Sequence, residues 1–180
     1  GDSKIEINGQ VNAYTGIDLR AARIAIQKDT DGNGNALLKT GVVFNNVVNT
    51  NGLYEDASVV ADERLTVIKD DQGNIFFKDN HENHVTVNNA QGDGSITIAA
   101  SSTERNANTP LWGVDTLKNT VEATVDLGAG ANIDAISDVS ISATATRENN
   151  NTIVEVWDIM AFTRAGVNID GNVTGNNVDI

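Results

Sequence analysis

The sequence predicts an all-β solenoid in which short strands wind into stacked, parallel coils. Three observations predict it: aliphatic triplets of period two, polar-Gly corners that recur between them, and aromatics at only 4% of 180 residues. A triplet of the form aliphatic-x-aliphatic puts two side chains on one face of a strand. Asn and Gly accept the positive φ angles of tight corners, and β-branched residues fit a pleated surface. A core of many small and medium aliphatic side chains, with few aromatics, suits a narrow, repeated interior. The competing architecture is an antiparallel β-sandwich, whose strands also alternate and end at Gly/Asn turns. Sandwich strands usually run longer than these triplets, and the recurrent Gly corner has less reason to exist there.

The first copy begins at Ile5-Glu6-Ile7, turns at Asn8-Gly9, resumes through Val11 to Ala13 and turns again before Ile17-Asp18-Leu19. The next triplet, Ile24/Ile26, starts 19 residues after Ile5, which makes one coil of three strands. The pattern blurs over Val43 to Val48, where a weak copy is expected. Val85-Thr86-Val87, leading to Ile96-Thr97-Ile98, reads as another copy. Thr116 to Thr124 has a short helical pattern that its Val and Thr weaken. Val125-Asp126-Leu127, leading through Ile133 to Val139-Ser140-Ile141, is a further copy, and Val167-Asn168-Ile169, leading to Val178-Asp179-Ile180, is the last. Starts at 5, 85, 125 and 167 set a period near 40, either two coils or one coil with a long outward loop. The expected inward positions are Ile5, Ile7, Ile17, Leu19, Val85, Val87, Ile96, Ile98, Val125, Leu127, Val139, Ile141, Val167 and Ile169. One stretch departs from the pattern. Ile153 to Phe162 is apolar on both alternating faces, so something must cover its outer side. The loop 102–120, with Pro110-Leu111-Trp112, is the expected cover. Trp112 and Trp157 are therefore the candidate partner contacts.

The strings VEATVDLGAGANIDAISDVSISATA and AGVNIDGNVTGNNVDI resemble coils of large exported bacterial adhesins of the filamentous-haemagglutinin, two-partner-secretion type, and of similar autotransporter passengers. The resemblance covers about residues 1–27, 85–101 and 121–180, and rests on degenerate aliphatic motifs. It implies a right-handed parallel β-helix, secretion or display at the bacterial cell surface, and an adhesive or scaffolding role. The partner would be a host or neighbouring-cell surface, including its carbohydrate. Residues 28–84 and 102–120 depart from the pattern and are expected to decorate a single helical segment spanning 1–180. Gly1-Asp2-Ser3 has no leader character and the last repeat stops at Ile180, so an elongated monomeric segment within a longer chain is expected.

A net charge of −13 argues against nucleic acid, whose phosphates repel such a surface. No apolar run approaches the ~20 residues of a membrane helix, so no membrane insertion is expected. The absence of cysteine excludes disulfides and thiolate metal sites. Asp29, Asp31, Asn33 and Asn35 place oxygen ligands at alternate positions with Gly34 sixth, like the first half of a calcium loop. Thr40 stands where the closing bidentate Glu belongs, so calcium is a weak candidate and a polar strand-to-strand loop explains the same letters. His81 and His84 are spaced for a shared helical face. Their segment leads into a strand, however, so two histidines in a polar loop are expected. No nucleophile elbow, phosphate loop or dinucleotide fingerprint is present. Arg105, Arg147 and Arg164 could supply the base of a β-helical polysaccharide-cleaving enzyme, but no shared repeat position brings them together. An adhesive, non-enzymatic stalk is therefore the expected function; a polysaccharide lyase or hydrolase and a trimeric phage-type fibre are the alternatives.

Overall fold

The computed structural model describes residues 3–27, 36–44, 59–85, 92–106, 120–149 and 162–180. Among the described residues, four coils of a parallel β-helix are wound from twelve strands. The first coil is β1 (Lys4–Ile7), β2 (Gln10–Asn12) and β3 (Gly16–Ala21). The second is β4 (Arg23–Ile26), β5 (Leu37–Lys39) and, after an insertion, β11 (Ser95–Asn106). The third is β12 (Thr120–Leu127), β13 (Asn132–Asp134) and β14 (Val139–Asn149). The fourth is β15 (Phe162–Ile169), β16 (Asn172–Thr174) and β17 (Val178–Asp179). Like strands stack into three parallel sheets, ordered β1-β4-β12-β15, β2-β5-β13-β16 and β3-β11-β14-β17.

The register explains why the triplets were written into the chain. Ile5, Ile24, Val125 and Val167 stand in one column, and Ile7, Ile26, Leu127 and Ile169 in the next. Val11, Leu38, Ile133 and Val173 form the column of the second sheet. Ile17, Ile96, Val139 and Val178 form a column of the third, beside Leu19, Ile98 and Ile141. The columns meet in one core, covered in the middle coils and less evenly at the ends, where Ile17 is buried and Val178 is 44% exposed. Ile24 and Val125 are 1% exposed, whereas Ile5 and Val167 are only partly buried against them. Alanines line the narrow places: Ala36 and Ala131 at corners, and Ala21, Ala100 and Ala143 in register along the third sheet. With strands about 4.8 Å apart, four coils rise only about 14 Å from first to last strand. The elongation expected of a stalk is therefore not displayed by these coils themselves.

The 19-residue return from Ile5 to Ile24 is the pitch of the first coil. The 40-residue spacing belongs to the third and fourth coils, where Asn172 Nδ2 donates to Asn132 Oδ1 at 3.0 Å and Asn176 Nδ2 to the Ile136 carbonyl at 3.4 Å. The 40-residue unit is thus one coil rather than two. Several expectations need correction. Val85 does not open a coil: it closes β10 (His84–Val85), which pairs antiparallel with β9 (Ile75–Lys78); Val87 lies outside the described residues. The weak copy expected near Val43 is instead β6 (Val42–Phe44), antiparallel to β7 (Val59–Arg64). The second half of Thr116 to Thr124 is strand β12, whose Val121, Ala123, Val125 and Leu127 all face the core. Leu37–Lys39 is a strand of the helix and so stands apart from the decoration expected over 28–84. Residues 102–106 continue β11 beside β14, from Ser102↔Ala145 to Asn106↔Asn149.

Candidate functional site

The insertion between β5 and β11 leaves and re-enters the helix through one narrow neck. Gly41 and Gly94 flank the Ile136 side chain from opposite ends of the insertion, with φ of 70° and 85°. A Cβ on Gly41 would lie 2.5 Å from Ile136 Cγ2, and one on Gly94 2.6 Å from Ile136 Cγ1. No side chain fits either place, and the left-handed backbone also favours glycine. Thr40, completely buried, ties the neck: its Oγ1 donates to the Gly94 carbonyl at 2.6 Å and accepts from the Ile136 N–H at 3.1 Å. Replacing Thr40 by Val keeps the shape but leaves both main-chain groups unsatisfied. Urea titration of Thr40→Val is expected to show a loss of about 2 kcal/mol.

Arg64, at the end of β7, fastens the insertion to the third coil. Its Nη1 lies 3.0 Å and 2.9 Å from the two carboxylate oxygens of Asp134. Its Nη2 donates to the carbonyls of Thr40 at 2.9 Å and Asp134 at 3.1 Å. Leu65, 2% exposed, donates its N–H to the Gly41 carbonyl at 2.8 Å and brings the chain back to the neck. From there β8 (Thr66–Lys69), β9 and β10 run as an antiparallel meander.

The two turns of the meander are built alike. Asp70 Oδ1 accepts from the main-chain N–H of Gln72 and Asn74, and its Oδ2 from the Asn74 amide at 2.8 Å. Asp79 Oδ1 likewise accepts from the N–H of His81 and Asn83, and its Oδ2 from the Asn83 amide at 3.0 Å. The side-chain amides, Asn83 for Asp79 and Asn74 for Asp70, lead the interactions that hold both carboxyls below their ordinary range. Both turns use a left-handed residue at the same place, Gly73 at φ 83° in the first and Glu82, a non-glycine, at φ 65° in the second.

Because β8 runs antiparallel to β9, Thr66 pairs with Lys78, and the residues just before β8 arrive beside the second turn. This brings Glu63 to Asp79 and His81, with one ligand atom of each within 4.8 Å of the others. Sequence spacing reached only part of this cluster. His81 is in the turn and exposed, but His84 is in strand β10 and not in the loop. Glu63 carried no local signal, since only the strand pairing places it there. The repeated Asp-x-x-x-Asn of Asp70–Asn74 and Asp79–Asn83 was a readable signal for twin turns.

The calcium candidates Asp29, Asp31, Asn33 and Asn35 lie outside the described residues, as do Trp112 and Trp157. Of the arginines, Arg147 on β14 lies 3.6 Å from Glu104 on the neighbouring β11. Arg164 on β15 lies 3.8 Å from Glu122, which also approaches Arg23 at 3.9 Å. Arg147 and Arg164 thus sit on different sheets, each beside an acid on the preceding coil. In comparisons with known proteins, no family model, curated protein or solved structure matches the chain.

Proposed function

We propose that this chain is a non-enzymatic structural and adhesive segment of a large exported bacterial surface protein, a stalk portion that presents loops for attachment. The observation that carries the reading is the placement of the insertion. A helix held by aliphatic columns carries, at one corner, a separate antiparallel unit tied down by Thr40 and by the Arg64–Asp134 pair. Recognition tends to sit on segments that a fixed scaffold holds out to solvent. The net charge of −13 suits a surface that stays soluble and steers cationic partners. The partner is a cell surface, its carbohydrate included.

The test is retention of the whole chain on intact cells and on an array of surface glycans, beside a variant whose residues 43–91 are replaced by a short Gly/Ser link. Saturable retention that the shortened variant loses, with its β signal intact, is expected. Release of new sugar ends from polysaccharide would replace the reading with the enzymatic one. A compulsory trimer would replace it with the fibre. Absence of retention on every surface would overturn it.

A further inference from the structure

We infer that Glu63, Asp79 and His81 form a binding site for a divalent transition-metal ion of the zinc class, joining β7 to the β9–β10 turn. The donors are one imidazole and two carboxylates, brought together from separated parts of the chain, and their ligand atoms lie within 4.8 Å of one another. Ligands around tetrahedral zinc, at about 2.0–2.1 Å from the ion, are about 3.4 Å apart. Closing from the observed spacing needs shifts of about an ångström, within reach of side chains at a solvent-facing turn. An imidazole among the donors favours zinc and its neighbours over calcium and magnesium, which prefer oxygen throughout.

The second turn differs from its twin in the ways such a site needs. Both turns hold an Asp carboxylate by the same main-chain and amide hydrogen bonds. A carboxylate has about four acceptor positions, so three such bonds orient it and leave one for an ion. The turn at Asp70 has Gln72 at the place of His81, and among the described residues no third ligand joins it. At Asp79 the imidazole is two residues on, and Glu63 closes the set from β7. Three protein donors leave a fourth position open to water or to an atom of a partner. The inference is independent of the adhesive reading, because binding of an ion by these three side chains requires no surface partner.

The test uses the whole chain, stripped with a chelator and titrated with zinc by calorimetry and with cobalt(II) by visible absorption. One ion per chain and a tetrahedral or five-coordinate cobalt band are expected. His81→Ala and Glu63→Gln should each weaken binding at least about tenfold, while Gln72→Ala and Asp70→Asn in the twin turn leave it unchanged. Circular dichroism of each variant separates loss of the site from loss of the fold, and a Glu63→Gln chain that keeps its fold suffices if His81→Ala does not. No saturable binding, or binding that survives both substitutions in folded chains, would overturn the inference.

Discussion

Ile141→Asp is expected to abolish the cooperative unfolding transition of the helix, at a cost of at least about 4 kcal/mol. Ile141 is 2% exposed and stands beside Ile98, itself fully buried, in the column that Leu19 begins. An aspartate there loses the aliphatic burial and puts a carboxyl among Ile, Val and Ala side chains that offer it no hydrogen bond. A domain of ordinary stability, about 5–15 kcal/mol, has little margin for such a loss. Parity supplies the control. Ser142, the next residue on β14, faces solvent, so Ser142→Asp should shift the urea midpoint by an amount equivalent to about 0.5 kcal/mol or less. Equal damage at 141 and 142, or greater damage at 142, would contradict the observed register.

Gly94→Ala is expected to destabilise by about 3 kcal/mol, from two separable causes. The left-handed backbone at φ 85° disfavours any side chain by about 1–2 kcal/mol. The added methyl would also lie 2.6 Å from Ile136 Cγ1, a distance that forces the side chain or the neck to shift. Shortening the neighbour distinguishes the two. In a double-mutant cycle, Ile136→Ala should recover about 1–2 kcal/mol of the Gly94→Ala loss, leaving the backbone share in place. Additive effects of the two substitutions in denaturant titrations would show that the contact at the neck is not as described.

The helix was legible where the chain keeps strict alternation. Ile5, Ile7, Ile17 and Leu19, then Val125, Leu127, Val139 and Ile141, take inward places because a period-two triplet has only one apolar face. Their columns follow from stacking like on like. The alanine corners were missed, because a methyl group gives little hydrophobic contrast in sequence yet fits a narrow bend. Val85 was misread for a different reason: Val85-Thr86-Val87 has the local alternation of a coil strand, but Val85 pairs antiparallel with Phe77. Strand alternation says which face is apolar, and only the partner decides whether the sheet is parallel. The Glu63–Asp79–His81 cluster shows the same limit, since two of its residues share a turn and the third arrives through the pairing of β8 with β9.

The neck that gathers both ends of the insertion also bears on the order in which the chain can fold. Thr40 and Gly94, joined by a side-chain hydrogen bond, are 54 residues apart. Closing a flexible loop of that length rather than a turn of five residues costs about 2 kcal/mol more in chain entropy. The pairing of Ile17 with Ile96 must wait for that closure, whereas the pairing of Ile5 with Ile24 involves no such detour. If the local meander of β8, β9 and β10 forms first, the span left to close behaves as a shorter chain. The insertion would then act as a folded clasp that brings the two halves of the second coil within reach, letting the third sheet assemble after the first has begun.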